Sequence, residues 1–115
     1  MDTPLTARRC VPCEGGTRPL GKDKAAELHT QLPSGWALGK TALTKTFSFP
    51  TFIDAIGFVD RVATLAEAEG HHPDIDIRYR KVTLTLTTHA IKGLSDNDFI
   101  LAAKIEAVSS AGNGS

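Results

Sequence analysis

Three of the four histidines of this chain, His71, His72 and His89, share one stretch with Glu67, Tyr79 and Asp98. An imidazole titrates near neutral pH, so several gathered at one place can donate and accept protons in a single turnover without large pKa shifts. Adjacent residues on a strand point to opposite faces, which makes His71 and His72 a poor chelating pair compared with an H-x-H arrangement. Metal binding is therefore the weaker reading. No G-x-S-x-G elbow, G-x-x-x-x-G-K loop or G-x-G-x-x-G turn occurs, which removes the common hydrolase, nucleotide and dinucleotide signals. Cys10 and Cys13 form a C-x-x-C pair, compatible with half a zinc site or a redox dithiol. They lack a second ligand pair and a helix N-terminus to stabilise a thiolate, so the expectation is reduced thiols in a loosely ordered arm.

The elements that must position the histidines follow from periodicity. Residues 1–19 hold Pro4, Pro12, Gly15, Gly16 and Pro19 and read as a flexible amino-terminal arm. Ala25, Leu28 and Leu32 recur at helical spacing from Lys22 until Pro33-Ser34-Gly35 stops the pattern. Trp36–Lys40 and Leu43–Phe49 read as a hairpin. Pro50–Glu69 is the clearest helix, ended by Gly70 where a left-handed cap belongs. Its apolar residues cover about half the circumference. That width fits a helix seated on a sheet, with Phe58, Val62 and Leu65 as candidates to meet a second copy of the chain.

Asp74–Arg80 alternates, with Ile75, Ile77 and Tyr79 on one face, and Lys81–His89 alternates likewise, with Val82, Leu84 and Leu86 inward. The two predict an antiparallel hairpin. Matching their apolar faces pairs Tyr79 with Val82, Ile77 with Leu84 and Ile75 with Leu86. Continued outward, this register sets Pro73 against Thr88 and His72 against His89, unless Pro73, which has no amide donor, ends the ladder first. Two histidines then converge at the open end. Ser95 to about Ser109 reads as a last helix, with Ser95 as its cap and Asp98 as a capping-box partner. Residues 20–110 form one domain and residues 111–115 a frayed tail.

Composition bounds the function. A chain of 115 residues with 41% hydrophobic content supports one modest core. Thirteen basic and thirteen acidic residues cancel, leaving no electrostatic footprint for nucleic acid or an anionic membrane. A small, weakly charged ligand fits better. The first ten residues lack the apolar core of a signal peptide and no stretch is long enough to span a bilayer, so a soluble, cytoplasmic protein is expected.

The order Glu67-x-x-x-His71-His72-Pro73, then Tyr79, His89 and Asp98 at fixed spacing, resembles the signature of the pterin-4a-carbinolamine dehydratases. Gly93-Leu94-Ser95-Asp96-Asn97-Asp98 and Leu32-Pro33-Ser34-Gly35-Trp36 are similar to that family too, and Cys10-x-x-Cys13-x-Gly15-Gly16 resembles the leader of its bacterial members. The resemblance implies an α+β fold of two layers, a four-stranded antiparallel sheet with helices on one face in the order α-β-β-α-β-β-α. It implies a dehydratase that converts 4a-hydroxytetrahydropterin to quinonoid dihydropterin and water, in recycling of the cofactor spent by aromatic amino acid hydroxylases. No metal and no cofactor is expected.

Carried over by position, His71, His72 and His89 are the catalytic residues. His72 and His89 would exchange the protons while His71 holds the pterin, and these roles can be permuted. Glu67 and Asp98 would support the imidazoles, and Pro73, Thr87 and Thr88 would meet the substrate. Each has a plainer rival: Asp98 as a helix cap, Glu67 as a solvated helix residue, the threonines as strand formers. The family also implies a homodimer or homotetramer. A different class of function is a non-catalytic dimerisation, coactivator or assembly module on the same fold. The retained histidines and acids discriminate against it.

Overall fold

The computed structural model describes residues 4–11 and 18–111. A 3-10 turn at Leu5–Ala7 is followed by α1 (Lys22–His29), β1 (Ala37–Leu38), β2 (Leu43–Ser48), α2 (Phe52–Glu69), β3 (Asp74–Arg78), β4 (Lys81–Leu86), a second 3-10 turn at His89–Ile91, and α3 (Asp96–Ala111). The strands form one antiparallel sheet in the order β1-β2-β4-β3. This is the α+β fold expected.

Period-two patterning explains the layers. Leu43 and Phe47 of β2 sit opposite Leu86 and Val82 of β4, and these four side chains are buried with Leu84. Thr44 and Thr46 pair with Thr85 and Thr83 on the other face, where a hydroxyl contact of 2.8 Å joins Thr46 and Thr83. Against the apolar face lie Ala55, Phe58, Val62 and Ala66 of α2 together with α3. The Phe58 ring stands 4.7 Å from Phe47 and 5.0 Å from Phe49. Phe99, Ile100, Leu101, Ala102, Ala103 and Ile105 are all buried, so α3 is covered almost all round, as its continuous apolar run requires.

Thr51 caps α2, its hydroxyl accepting from the Asp54 amide at 3.1 Å, and Gly70 ends the helix in the left-handed region at φ 68°. Phe58 and Val62, expected as interface candidates, are 0% exposed in the chain's own core, and Leu65 packs against that core. Beyond Phe52 and Ile53 in its first turn, the large apolar side chains of α2 serve the monomer. The apolar side chains left outside are Phe52, Ile53, Ile75, Ile77, Tyr79 and Val11 among the described residues.

The β3–β4 register differs by two from the expected one. Ile77 faces Val82, Ile75 faces Leu84, and the ladder ends at Asp74 against Thr85. The chain reverses at Tyr79-Arg80, with Tyr79 at φ 56°, and the Arg80 carbonyl accepts from the Phe49 amide at 3.0 Å. A slip of two residues keeps every side chain on its original face, so alternation alone cannot choose between the registers. The pairings of Pro73 with Thr88 and His72 with His89 do not form. Strand β3 is exposed along its whole length; it is an edge strand, and the face on which Ile75 and Ile77 alternate is not covered as that alternation suggests.

The proline-rich start is tied down where it is described. Leu5 is 4% exposed, within the core cluster, and Arg8 Nη2 lies 2.6 Å from Asp96 Oδ2. Cys10 belongs to this docked piece, whereas Cys13 and residues 112–115 of the expected tail at 111–115 lie outside the described residues, and Ala111 is the last residue of α3.

Candidate active site

The site grows from three chain ends on one side of the fold. Gly70 turns the chain out of α2, and the Gly70 and His71 amides both donate to the Ala66 carbonyl at 2.9 and 3.2 Å. That closure fixes where His71 begins. His89 comes from the 3-10 turn after β4 and not from a strand; this turn is closed by Thr88 bridging antiparallel to Gly93. The third contribution is the start of α3.

His71 Nε2 donates to Asp98 Oδ1 at 2.6 Å, and the Asp98 side chain is wholly buried. The second carboxylate oxygen of Asp98 accepts from Thr88 Oγ1 at 2.8 Å and from the Ser95 amide at 2.9 Å. Ser95 Oγ in turn accepts from the Asn97 amide at 3.2 Å and stands 2.8 Å from the Thr88 hydroxyl. Asp98 is thus both cap and histidine partner, one oxygen for each task. A carboxylate offers only acceptors, so it holds the proton of a neutral His71 on Nε2 and leaves Nδ1 as the acceptor.

His72 Nε2 bonds to Glu67 Oε2, one turn back on α2, with both side chains largely in solvent. The His89 ring makes no hydrogen bond among the described residues, and the residue is exposed. All three histidines line one open cleft of about 370 Å³ with Thr87, Thr88, Gly70, Ala90, Asn97 and Val11. The convergence foreseen from the hairpin therefore exists, built by a turn in place of a ladder.

The remaining expected residues divide. Thr87 and Thr88 line the cleft, but the Thr87 hydroxyl donates to the Thr41 carbonyl at 2.5 Å. Thr88 is 5% exposed, and its hydroxyl serves Asp98. Pro73, half-buried ahead of β3, is outside the cleft wall. Glu67 stands behind His72 without lining the cleft. Sequence reasoning passed over Val11, Ala90 and Asn97; for Asn97 the signal was its place inside the Ser95–Asp98 cap, while nothing in the arm marked Val11.

Behind the cleft, Glu69 Oε1 accepts from the Cys10 amide at 2.9 Å and Glu69 Oε2 from Lys104 Nζ at 2.7 Å. The Cys10 amide, then Lys104, hold the Glu69 carboxyl below its ordinary value. Burial first, then the charge of Glu69, pushes the Cys10 thiol up to about 12.

Comparison with known proteins agrees with this reading of the fold. The family model described as Pterin 4 alpha carbinolamine dehydratase matches residues 18–108. A protein of Nitrosomonas eutropha, provisionally named pterin-4-alpha-carbinolamine dehydratase, is 46% identical over 102 residues, 89% of this chain and 90% of its own. A protein of Halorhodospira halophila with the same provisional name is 46% identical over 106 residues, 90% of this chain and 96% of its own. The crystal structure of a transcriptional coactivator/pterin dehydratase from Brucella melitensis superposes with a TM-score of 0.74 at 33% identity, covering 80% of this chain and 99% of that one. A pterin dehydratase-like protein identified as a RuBisCO assembly factor in the alpha-carboxysome has a TM-score of 0.56 at 28% identity, over 65% and 89% of the two chains. By sequence along most of its length and by fold, this chain belongs to the pterin 4 alpha carbinolamine dehydratase family.

Proposed function

We propose that the chain is an active dehydratase that removes water from 4a-hydroxytetrahydropterin by histidine acid/base catalysis. The observation that carries this is three imidazoles on one cleft, two of them paired with carboxylates. In the reaction a neutral imidazole takes the proton from N5, and the N5 electrons form the C4a=N5 double bond. The C4a hydroxyl leaves as water with a proton from a second, protonated imidazole. One histidine gains a proton and the other loses one, and solvent resets both.

His72 and His89 suit this exchange because both are exposed, so water reaches them between turnovers. His71 suits holding the ring, since its Asp98 bond fixes its orientation and presents Nδ1 as an acceptor for a pterin N–H. Glu67 orients His72. Thr87 offers the cleft its remaining lone pairs, and Thr88 acts through Asp98. The physiological setting is cytoplasmic tetrahydropterin recycling beside an aromatic amino acid hydroxylase.

The deciding experiment generates the 4a-hydroxypterin in situ with a hydroxylase and follows its dehydration with and without the protein. Faster disappearance supports the reading. An unchanged rate would leave the non-catalytic module, in the manner of the alpha-carboxysome relative identified as a RuBisCO assembly factor.

Self-association into a homodimer or homotetramer is part of the same proposal, now placed on β3. Ile75, Ile77 and Tyr79 are 38%, 40% and 69% exposed, on a strand bonded on one side only. Antiparallel pairing of two copies about Ile77 sets Asp76 of each opposite Arg78 of the other, apolar against apolar and charge against countercharge.

A further inference from the structure

The piece of chain ahead of α1 is anchored to the site more firmly than its composition suggests. Asn97, 4% exposed, engages both backbone groups of Val11: its Oδ1 accepts from the Val11 amide at 2.9 Å, and its Nδ2 donates to the Val11 carbonyl. This side-chain amide stands in for a strand partner. One residue earlier the Cys10 amide is held by Glu69, and two residues before that Arg8 is held by Asp96. Three successive anchors fix the backbone, yet the Val11 side chain is left 62% exposed at the cleft edge. An exposed isopropyl group contributes little to folding.

The chemistry of the lining explains where such a group is useful. Among the described residues, Val11 and Ala90 are the apolar side chains of a wall otherwise made of histidines, threonines, Asn97 and Gly70. The imidazoles take the reacting, hydrogen-bonding part of a ligand. What remains to meet Val11 is carbon.

We infer that Val11, held by Asn97, is a specificity-determining residue that recognises the carbon side chain carried by the pterin ring. Asn97 is its positioning residue, and neither moves a proton. The inference rests on the pterin reading of the cleft. Its consequence is a preference for pterins bearing an alkyl-containing substituent over the unsubstituted ring.

The test uses the whole chain and two substrates generated in situ by a hydroxylase, the 4a-hydroxy forms of 6-methyltetrahydropterin and of unsubstituted tetrahydropterin. For wild type, kcat/KM favours the 6-methyl substrate. Val11→Ala raises KM for that substrate about 3- to 10-fold with kcat within about twofold, and shifts KM little for the unsubstituted one, since an extra methyl in an apolar pocket discriminates by about tenfold or more when enclosed. Val11 is exposed, so this variant folds. Asn97→Ala releases the arm, which is read without any activity as faster trypsin cleavage after Arg8 and Arg9, and it raises KM in the same sense as Val11→Ala. An unchanged substrate ratio in Val11→Ala, with an active wild type, overturns this inference alone. A wild type inert toward both substrates overturns the pterin reading and the inference with it. Equal trypsin rates in wild type and Asn97→Ala show that Asn97 does not position the arm.

Discussion

Replacing Asp98 by asparagine changes one atom in the buried centre of the site, and the outcome can be worked from its three contacts. Wild-type Asp98 accepts from His71 on one oxygen and from Thr88 and the Ser95 amide on the other. The asparagine keeps a single acceptor oxygen. Turned toward Thr88 and Ser95 it preserves the cap, and its NH2 then meets His71 Nε2, which must become an acceptor. The ring changes tautomer, and Nδ1 turns from acceptor to donor. Loss of one charge-assisted bond costs about 1–3 kcal/mol of stability. The wrong tautomer costs about 100-fold in kcat/KM, or about 2.7 kcal/mol.

Asp98→Ala separates the two effects from the other side. It leaves the Ser95 amide and His71 Nε2 without their acceptor while Thr88 keeps Ser95 Oγ. Two unsatisfied donors cost about 2–6 kcal/mol, a fall in melting temperature of roughly 8–24 °C at about 4 °C per kcal/mol. Dehydration kinetics, thermal unfolding and the nitrogen chemical shifts of His71 read the three consequences separately. A folded Asp98→Asn protein with wild-type kcat/KM and an unmoved His71 tautomer would reduce Asp98 to a helix cap and refute the reasoning.

Further outcomes follow from other parts of the structure. His72→Ala and His89→Ala each give a folded protein with dehydration slowed about 10²- to 10⁴-fold, since both side chains are exposed and each removes one proton carrier; near-normal turnover in either overturns the assignment. Light scattering of the wild type at micromolar concentration gives a mass of two or four chains, and Ile77→Lys on the open β3 edge lowers it; a monomeric wild type removes β3 as an interface. Cys10, with its thiol raised to about 12, is roughly one part in ten thousand thiolate at pH 8, so native alkylation of this residue is slow and unfolding speeds it by orders of magnitude. Because the folded value lies above the unfolded one, the stability gained by a neutral thiol is complete below the ordinary thiol range and is lost as pH climbs toward that value; rapid native labelling of Cys10 would contradict the burial. Glu69 has the opposite sign: its folded value is lowered, so its hold on the Cys10 amide is complete above the ordinary carboxylate range and weakens as pH falls through it, and trypsin cleavage after Arg9 in a pH jump checks the release.

Much of this fold was legible because local rules agreed. Gly70 marked the end of α2, Ser95 and Asp98 announced α3, and alternation assigned the inward face of β4. The register of β3 was not legible, because a two-residue slip preserves alternation and the turn falls on Tyr79, a residue type that seldom takes positive φ. Exposure of Ile75 and Ile77 was equally hidden: their spacing says which face they share, and only the packing of α2 and α3 says how far along the sheet that face is covered. The three histidines were found by residue type and spacing, whereas Val11 and Asn97 meet through a contact between residues 86 positions apart, which no local pattern records.

That separation also orders events during synthesis. Arg8, Cys10 and Val11 emerge first, and their partners Asp96 and Asn97 emerge 86 to 88 residues later. At about 5–20 residues per second the wait is roughly 4 to 18 seconds. Through that interval Leu5 has no core to enter and Cys10 lacks the cover that suppresses its thiolate, so the nascent chain passes through a period in which this thiol is as reactive as any exposed cysteine. Chemical damage to Cys10 is therefore a hazard of birth for this protein, closed off once α3 is in place.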